Sequence, residues 1–175
     1  LVVAVLAAFG ATSWDWFGRD RGAGTIEGAA LTAETIEARA RLQSAGATAL
    51  GESEDDRILF GDLHVHTTFS TDAFIWSLPM LGGEGVHPLA DACDFARYCA
   101  QLDFWAATDH AEAMTPIRWA DTRQSVRQCN AISGDAQNPD TAAFVGFEWS
   151  QVGRTPTDHY GHKNIIFPGL QDEDL

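Results

Sequence analysis

Positive charge is scarce in this chain. Eleven lysines and arginines stand against 25 aspartates and glutamates in 175 residues, a formal net charge of −14. A sequence-independent nucleic-acid binder needs the opposite balance, because its affinity comes from basic side chains that displace counterions from phosphates. No nucleic-acid partner is therefore expected. The acidity is compatible with a metal-assisted site, since divalent cations offset part of it. Cysteine is also sparse, with single residues at Cys93, Cys99 and Cys129 and no CxxC pair, so a thiolate zinc site is not indicated. Cys93 and Cys99, six apart on one expected helix, point to largely opposite faces, and a bond between them is not expected. Buried apolar thiols are the expectation for these cysteines. Long apolar runs are missing too. Residues 1–9 (LVVAVLAAF) are uninterrupted, but a spanning helix needs ~20 such residues.

That short run, followed by Trp14 and Trp16, reads as the remnant of an export signal or membrane anchor over residues 1–17, with a buried strand as the alternative. The expected location is outside the cytoplasm: periplasmic, secreted or membrane-anchored. The chain starts at Leu1 and stops in an acidic run, and it is read as the N-terminal part of a longer protein. Residues 18–56 read as a linker and a helix. Thr32 is placed to cap that helix, Glu34 sits in its first turn, Arg39 and Arg41 lie toward its end, and Gly46 is placed to stop it. Its Ala-rich face suits a spacer or a peripheral helix. The charged stretch at 51–57 marks the domain boundary.

What is present is concentrated after residue 56. Hydrophobic residues make up 45% of the chain, enough for a packed core rather than disorder. Ile58, Leu59 and Phe60 open an apolar run that ends in GDLHVH at 61–66. Residues two apart on a strand share a side, so His64 and His66 project together while Leu63 and Val65 face packing. Two imidazoles at a strand end can share a divalent ion. The polar loop at 67–72 can bring Asp72 back toward them, and the Gly-rich stretch 81–87 reads as a further loop. A helix is expected from Pro88 to about Gln101, with Leu89, Cys93, Ala96 and Ala100 as its apolar stripe. A second strand, 103–107, runs into Asp109, His110 and Glu112. A helix from Pro116 to about Ile132 and a third strand, 142–147, deliver Glu148; His159 and His162 precede a fourth strand, 164–167.

Alternating strands and helices predict an α/β fold with a parallel sheet or barrel, whose site lies at the C-terminal ends of the strands. Three successive apolar runs end in His, Asp or Glu, which is the strongest functional signal in the residues themselves. His87, beside Pro88, has no such setting and is expected at the surface or rim. Trp76, Trp105, Trp119 and Trp149 are expected in core or rim packing rather than as a substrate platform.

The elements GDLHVHTTFSTDA, ATDHAE, GFEWS and GHKNIIF, in this order across residues 57–170, resemble the polymerase-and-histidinol-phosphatase (PHP) superfamily, and within it a bacterial group catalogued as family 3604 of the domains of unknown function. The resemblance implies that residues 57–175 are the N-terminal part of a PHP-like metal-binding domain, a partial distorted (β/α)7 barrel. It implies two or three divalent ions (Zn, Mn or Fe) held by His64, His66, Asp72, His110, Glu148 and His162, with Glu148 bridging two of them. Glu148 and Asp109 are the residues expected to serve catalysis, Asp109 as an orienter of an imidazole; Asp62 and Glu112 are further candidates for orientation. His159 is a candidate ligand or phosphate contact; Arg118, Arg123, Arg154 and Lys163 are candidate substrate contacts, with solvated surface charge the preferred reading for each, and Lys163 and Arg154 lie nearest the motif residues. The implied function is a metal-dependent phosphoesterase acting on a small-molecule phosphate ester through metal-activated water, in the full-length protein. The chain alone is expected to be inactive, because the family's last ligands fall on later strands. A noncatalytic metal-binding module and a hydrolase of non-phosphate esters are the alternatives.

Overall fold

The computed structural model describes residues 2–13, 23–26, 28–53, 55–78, 81, 83 and 87–171. Trp14, Trp16, most of the 18–28 linker, much of the 81–87 loop and the end of the acidic tail lie outside the described residues. The fold is mixed α/β. Helices α1 (Val2–Ser13) and α2 (Ala33–Ala49) precede strand β1 (Gly61–Val65), helices α3 (Thr71–Trp76) and α4 (Leu89–Asp94), strand β2 (Phe104–Ala107), helix α5 (Pro116–Ile132) and strands β3 (Ala142–Gln151) and β4 (Gly161–Phe167). The strands form one curled, half-barrel sheet in the order β1-β2-β3-β4.

The apolar opening is helical, not a strand. Val2, Val3, Val5 and Leu6 stand exposed on α1, and among the described residues no helix is long and apolar enough to cross a membrane. In α2 the Thr32 hydroxyl accepts from the Thr35 N–H, as the cap reading required. Gly46 does not end the helix. It continues to Ala49, and Gly51, at φ +86°, takes the left-handed turn that a side chain would resist. The helix is peripheral but tied down. Gln43 donates to Asp103 at 2.6 Å, and Arg39 pairs with the same carboxylate at 3.2 Å.

The sheet is only partly parallel. β1, β2 and β3 run parallel, but β4 returns antiparallel to β3, with Glu148 opposite Asn164 and Ser150 opposite His162. The loop at 152–160 is too short for the crossover a parallel strand needs. β3 is also longer than expected, so Glu148 lies within it rather than beyond its end. Register slips by one residue between Asp62 and Val65. This bulge overturns the shared packing of Leu63 and Val65: Val65 meets the core, whereas Leu63 is 42% exposed beside Leu59 and Phe104.

The core lies between the sheet and helices α4 and α5, where Trp105, Ala107, Ala143 and Val145 meet Leu89, Cys93, Val126 and Cys129. Burying each large side chain contributes about 1.5–3 kcal/mol. The expected 88–101 helix changes pitch: α4 passes into a π-helical turn, Phe95–Cys99. That turn shifts the stripe, so Ala96 and Arg97 are buried and Ala100 is exposed. The thiol expectation fails. Cys93 and Cys129, 36 residues apart with Cα atoms 6.1 Å apart, form a disulfide joining α4 to α5, and Cys99 is free and exposed. The sequence reading weighed the Cys93–Cys99 pair, but the disulfide needs two helices brought together by the fold. Trp105 is buried, Trp119 packs edge-on against Phe147 and Phe167, and Trp76 and Trp149 remain exposed.

Arg97 and Asp140 form a fully buried ion pair at 2.7 Å. Arg97 also donates to the Ala29 carbonyl, and Asp140 accepts from the Leu31 N–H. The segment before α2 is thereby fastened to the domain.

Candidate metal centre

Glu148 organises the site. Its side chain comes off β3 and is nearly buried, with the residue 2% exposed. Three ring nitrogens converge on Oε2: Nε2 of His64 at 3.3 Å, Nε2 of His66 at 3.0 Å and Nδ1 of His110 at 3.4 Å. On the other oxygen, Oε1, Nδ1 of His162 lies at 2.5 Å. The imidazole rings touch in a chain, with centroids 4.9 Å apart for His64–His66, 4.7 Å for His66–His110 and 6.0 Å for His110–His162. Asp72, in the first turn of α3, reaches Nε2 of His110 at 3.0 Å. The short helix α3 interrupts what read as loop, and it is the element that carries Asp72 inward.

The histidines of the cluster come from the end of β1, the residues after β2, and β4. A bridge between His110 and Glu148 extends the β2–β3 pairing up to the site. Three overlapping groups bring donor atoms within 4.8 Å of one another: His64, His66 and Glu148; His66, Asp72 and His110; His110, Glu148 and His162.

Behind the cluster sits buried Asp109, 1% exposed. It accepts from the Thr67 N–H and the Thr67 hydroxyl, both at 2.7 Å, and from the Ser70 hydroxyl at 2.7 Å. Ser70 also accepts the His110 backbone N–H at 3.0 Å, and its oxygen lies 2.8 Å from Nδ1 of His66. A hydroxyl has one proton and two lone pairs. With the proton on Asp109 and one lone pair on His110, the second must accept from His66, so His66 carries its proton on Nδ1. Burial and the neighbouring His110 hold the His66 pKa below its ordinary value. Its Nε2 faces a carboxylate oxygen of Glu148 at 3.0 Å. A proton or a metal ion satisfies both atoms at that distance.

The remaining electrostatics agree with this arrangement. Burial favours the neutral form of Glu148, but the His64 hydrogen bond and the charges that His110, His162 and His66 carry at acid pH outweigh it and hold the carboxyl below the usual range. At His110 burial opposes the charged form, yet the hydrogen bond and charge of Asp72, with Glu148 beyond, raise its pKa. Asp72 is lowered in turn: burial acts upward, and the bonds from His110 and the Ala73 N–H prevail. Oδ1 of Asn164, directly across from Glu148, is buried without a hydrogen-bond partner, a further oxygen donor beside the cluster. Imidazoles, carboxylates and an amide oxygen form a donor set that fits divalent zinc, manganese or iron, a metal taking the place of the ring protons when it binds.

The structure thus brings together His64, His66, Asp72, His110, Glu148 and His162. The Asp109 carboxylate reaches the cluster through Ser70 and Thr67, and its backbone carbonyl accepts the Glu148 N–H at 3.0 Å, so Asp109 is a positioning residue. Glu112 stands 3.8 Å from Nδ1 of His110, and Asp62 accepts from the His64 backbone N–H. Neither His159 nor Arg154 belongs to the three donor groups; both are exposed in the loop after β3. Lys163 is turned to the Tyr160 carbonyl, and Arg118 is spent on the carbonyls of Phe69 and Ala113. His87 pairs with Asp91 at 3.1 Å on the wall of a cavity of about 920 Å³ that opens beside His64 and His66, a rim position as expected. Sequence reasoning missed Ser70 and Ser150. Ser70 occupies the N-cap position of α3 yet makes no capping bond, because its hydroxyl serves Asp109 and His66. Ser150 lies 2.9 Å from Nδ1 of His162, two residues along β3 from Glu148, and that same-face spacing was the available signal.

The molecule is therefore a mixed α/β protein with a histidine–carboxylate cluster at one end of a half-barrel sheet. The family profile described as "Protein of unknown function (DUF3604)" matches residues 53–140, half of the chain, and the chain belongs to that family. The match contains His64, His66, Asp72 and His110; Glu148 and His162 lie beyond it. No curated protein and no solved structure matches the chain.

Proposed function

We propose that this chain carries the metal centre of a hydrolase, a PHP-type phosphoesterase in its full-length form. The observation that carries the reading is the convergence of ring nitrogens from His64, His66, His110 and His162 on the two oxygens of buried Glu148. The curled half-barrel and its open apolar face, with Leu59, Leu63 and Phe104, support a PHP-type barrel as the complete fold.

Divalent ions at such a centre neutralise phosphate oxygens and lower the pKa of a bound water toward ~7. The chain's own residues do the positioning. Glu148 offers one oxygen to His64, His66 and His110 and the other to His162, which suits a carboxylate shared between two ions. Asp109, through Ser70, keeps Nε2 of His66 aimed inward. Ser150 steadies His162. Among the described residues no lysine or arginine lines the two cavities that open on the cluster, so bound cations would supply counter-charge for an anionic substrate there.

The disulfide and the exposed apolar helix α1 support an exported protein, since disulfides persist in oxidising compartments. The test of function is direct. Full-length protein loaded with Mn or Zn should hydrolyse generic phosphate mono- or diesters. Bound metal without hydrolysis of either would remove the phosphoesterase reading, and absence of bound metal would remove the metal centre as well.

A further inference from the structure

A second cavity, of about 510 Å³, also opens on the cluster, with none of the residues that line the cavity beside His87. Its floor holds His110, His162 and Asp72, and its walls include Ile75, Trp76 and Val152. Ile75 and Trp76 are three and four residues beyond Asp72 on α3, so all three share one face of that helix. The carboxylate on that face touches His110 at 3.0 Å, while the two apolar side chains stand beside it in solvent. Trp76 is 69% exposed, Val152 70% and Ile75 41%. None of the three belongs to the packed core, and α3 has no buried residue. Outside the cluster itself, the charged side chain of this lining is Glu112, which is acidic. An anionic extension of a ligand would be repelled here, and an uncharged one would gain apolar contact.

We propose that this cavity is a ligand subsite that receives an uncharged aryl or alkyl group whose polar head sits on the histidine–carboxylate cluster. The proposal rests on the metal centre described above and narrows its substrates to esters with an apolar, uncharged group next to the reacting bond. The volume lies in the range of small-molecule sites, ~300–1,000 Å³. Trp76 supplies a flat apolar surface of the kind that aromatic groups pack against.

The experiment separates this subsite from the phosphoesterase reading. Metal-loaded chain is titrated by calorimetry with two pairs of probes: benzohydroxamate against acetohydroxamate, which need only a metal, and phenylphosphonate against methylphosphonate, which mimic a phosphoryl group. The phenyl member of each pair should bind about tenfold more tightly, the equivalent of ~1.4 kcal/mol. Trp76→Ala, and independently Ile75→Ser, should bring the phenyl compounds toward the affinity of their methyl partners with metal content unchanged. A phenyl preference among hydroxamates with no phosphonate binding would uphold the subsite and reject phosphoryl chemistry. Equal affinities within the pairs, or a preference that survives both substitutions, would overturn the subsite alone. Failure to take up metal would overturn the centre and the subsite together.

Discussion

The Ser70 hydroxyl lies 2.8 Å from Nδ1 of His66 and donates to buried Asp109 at 2.7 Å, so it links that carboxylate to the ring. Such indirect partners set ligand tautomer and orientation, and their loss typically weakens metal binding about 10–100-fold. Ser70→Ala is expected to weaken metal binding by that order while leaving the number of bound ions at saturation intact. A metal titration of the variant checks it, and unchanged affinity would mean that His66 is held by packing alone.

Glu148 occupies two of the three donor groups, and His66 and His110 also belong to two each. Glu148→Gln keeps the shape but removes the negative charge, and it should cost at least one bound ion per chain. His64 belongs to one group, so His64→Ala should lose less. Metal analysis after exhaustive dialysis distinguishes the two variants; full stoichiometry in both would contradict the assignment.

The disulfide between Cys93 and Cys129 closes a 36-residue separation and links α4 to α5 beneath the sheet. A crosslink over a loop of that length stabilises by roughly 4 kcal/mol in the chain-entropy account. Cys129→Ser should lower stability by about 2–4 kcal/mol, and reductant should then have no further effect. Denaturant unfolding with and without dithiothreitol measures both statements.

Asp140 gives the fold an acid-sensitive point away from the metal centre. Burial acts to raise its pKa, but hydrogen bonds from Arg97, the Leu31 N–H and Ser133, with the charge of Arg97, hold it below the ordinary carboxylate value. A carboxyl depressed in the folded state contributes stability that is fully present above its unfolded pKa of about 3.9. That contribution is lost as pH falls through the lower, folded value. Asp140→Asn should cost about 3–5 kcal/mol at pH 7, because Arg97 is left buried without a counter-charge. It should also flatten the loss of stability below about pH 4. Unfolding midpoints from pH 7 to pH 2 for both proteins test the sign and the window.

Local pattern carried much of this protein. Thr32 and Pro116 announce their helices because capping and a fixed φ act within one turn. His64 and His66 announce a shared side because strand geometry repeats every two residues. The placement of His110 just past an apolar run marks a strand tip, where α/β folds keep their chemistry, whereas Glu148 proved to lie inside its strand. Each of these rests on interactions that span a few residues.

Other features needed the folded chain. The antiparallel return of β4, the bulge that exposes Leu63 and the π-helical turn that buries Arg97 all depend on partners tens of residues distant. So does the Cys93–Cys129 bond, which a spacing rule along one helix could not propose. Ser70 was hidden for the same reason. A serine before a helix normally caps it, and only the approach of Asp109, 39 residues further on, redirects its proton and with it the tautomer of His66. Short-range sterics and periodicity are written residue by residue, whereas hydrogen-bond partners across the sheet are chosen by packing, and packing belongs to the whole chain at once.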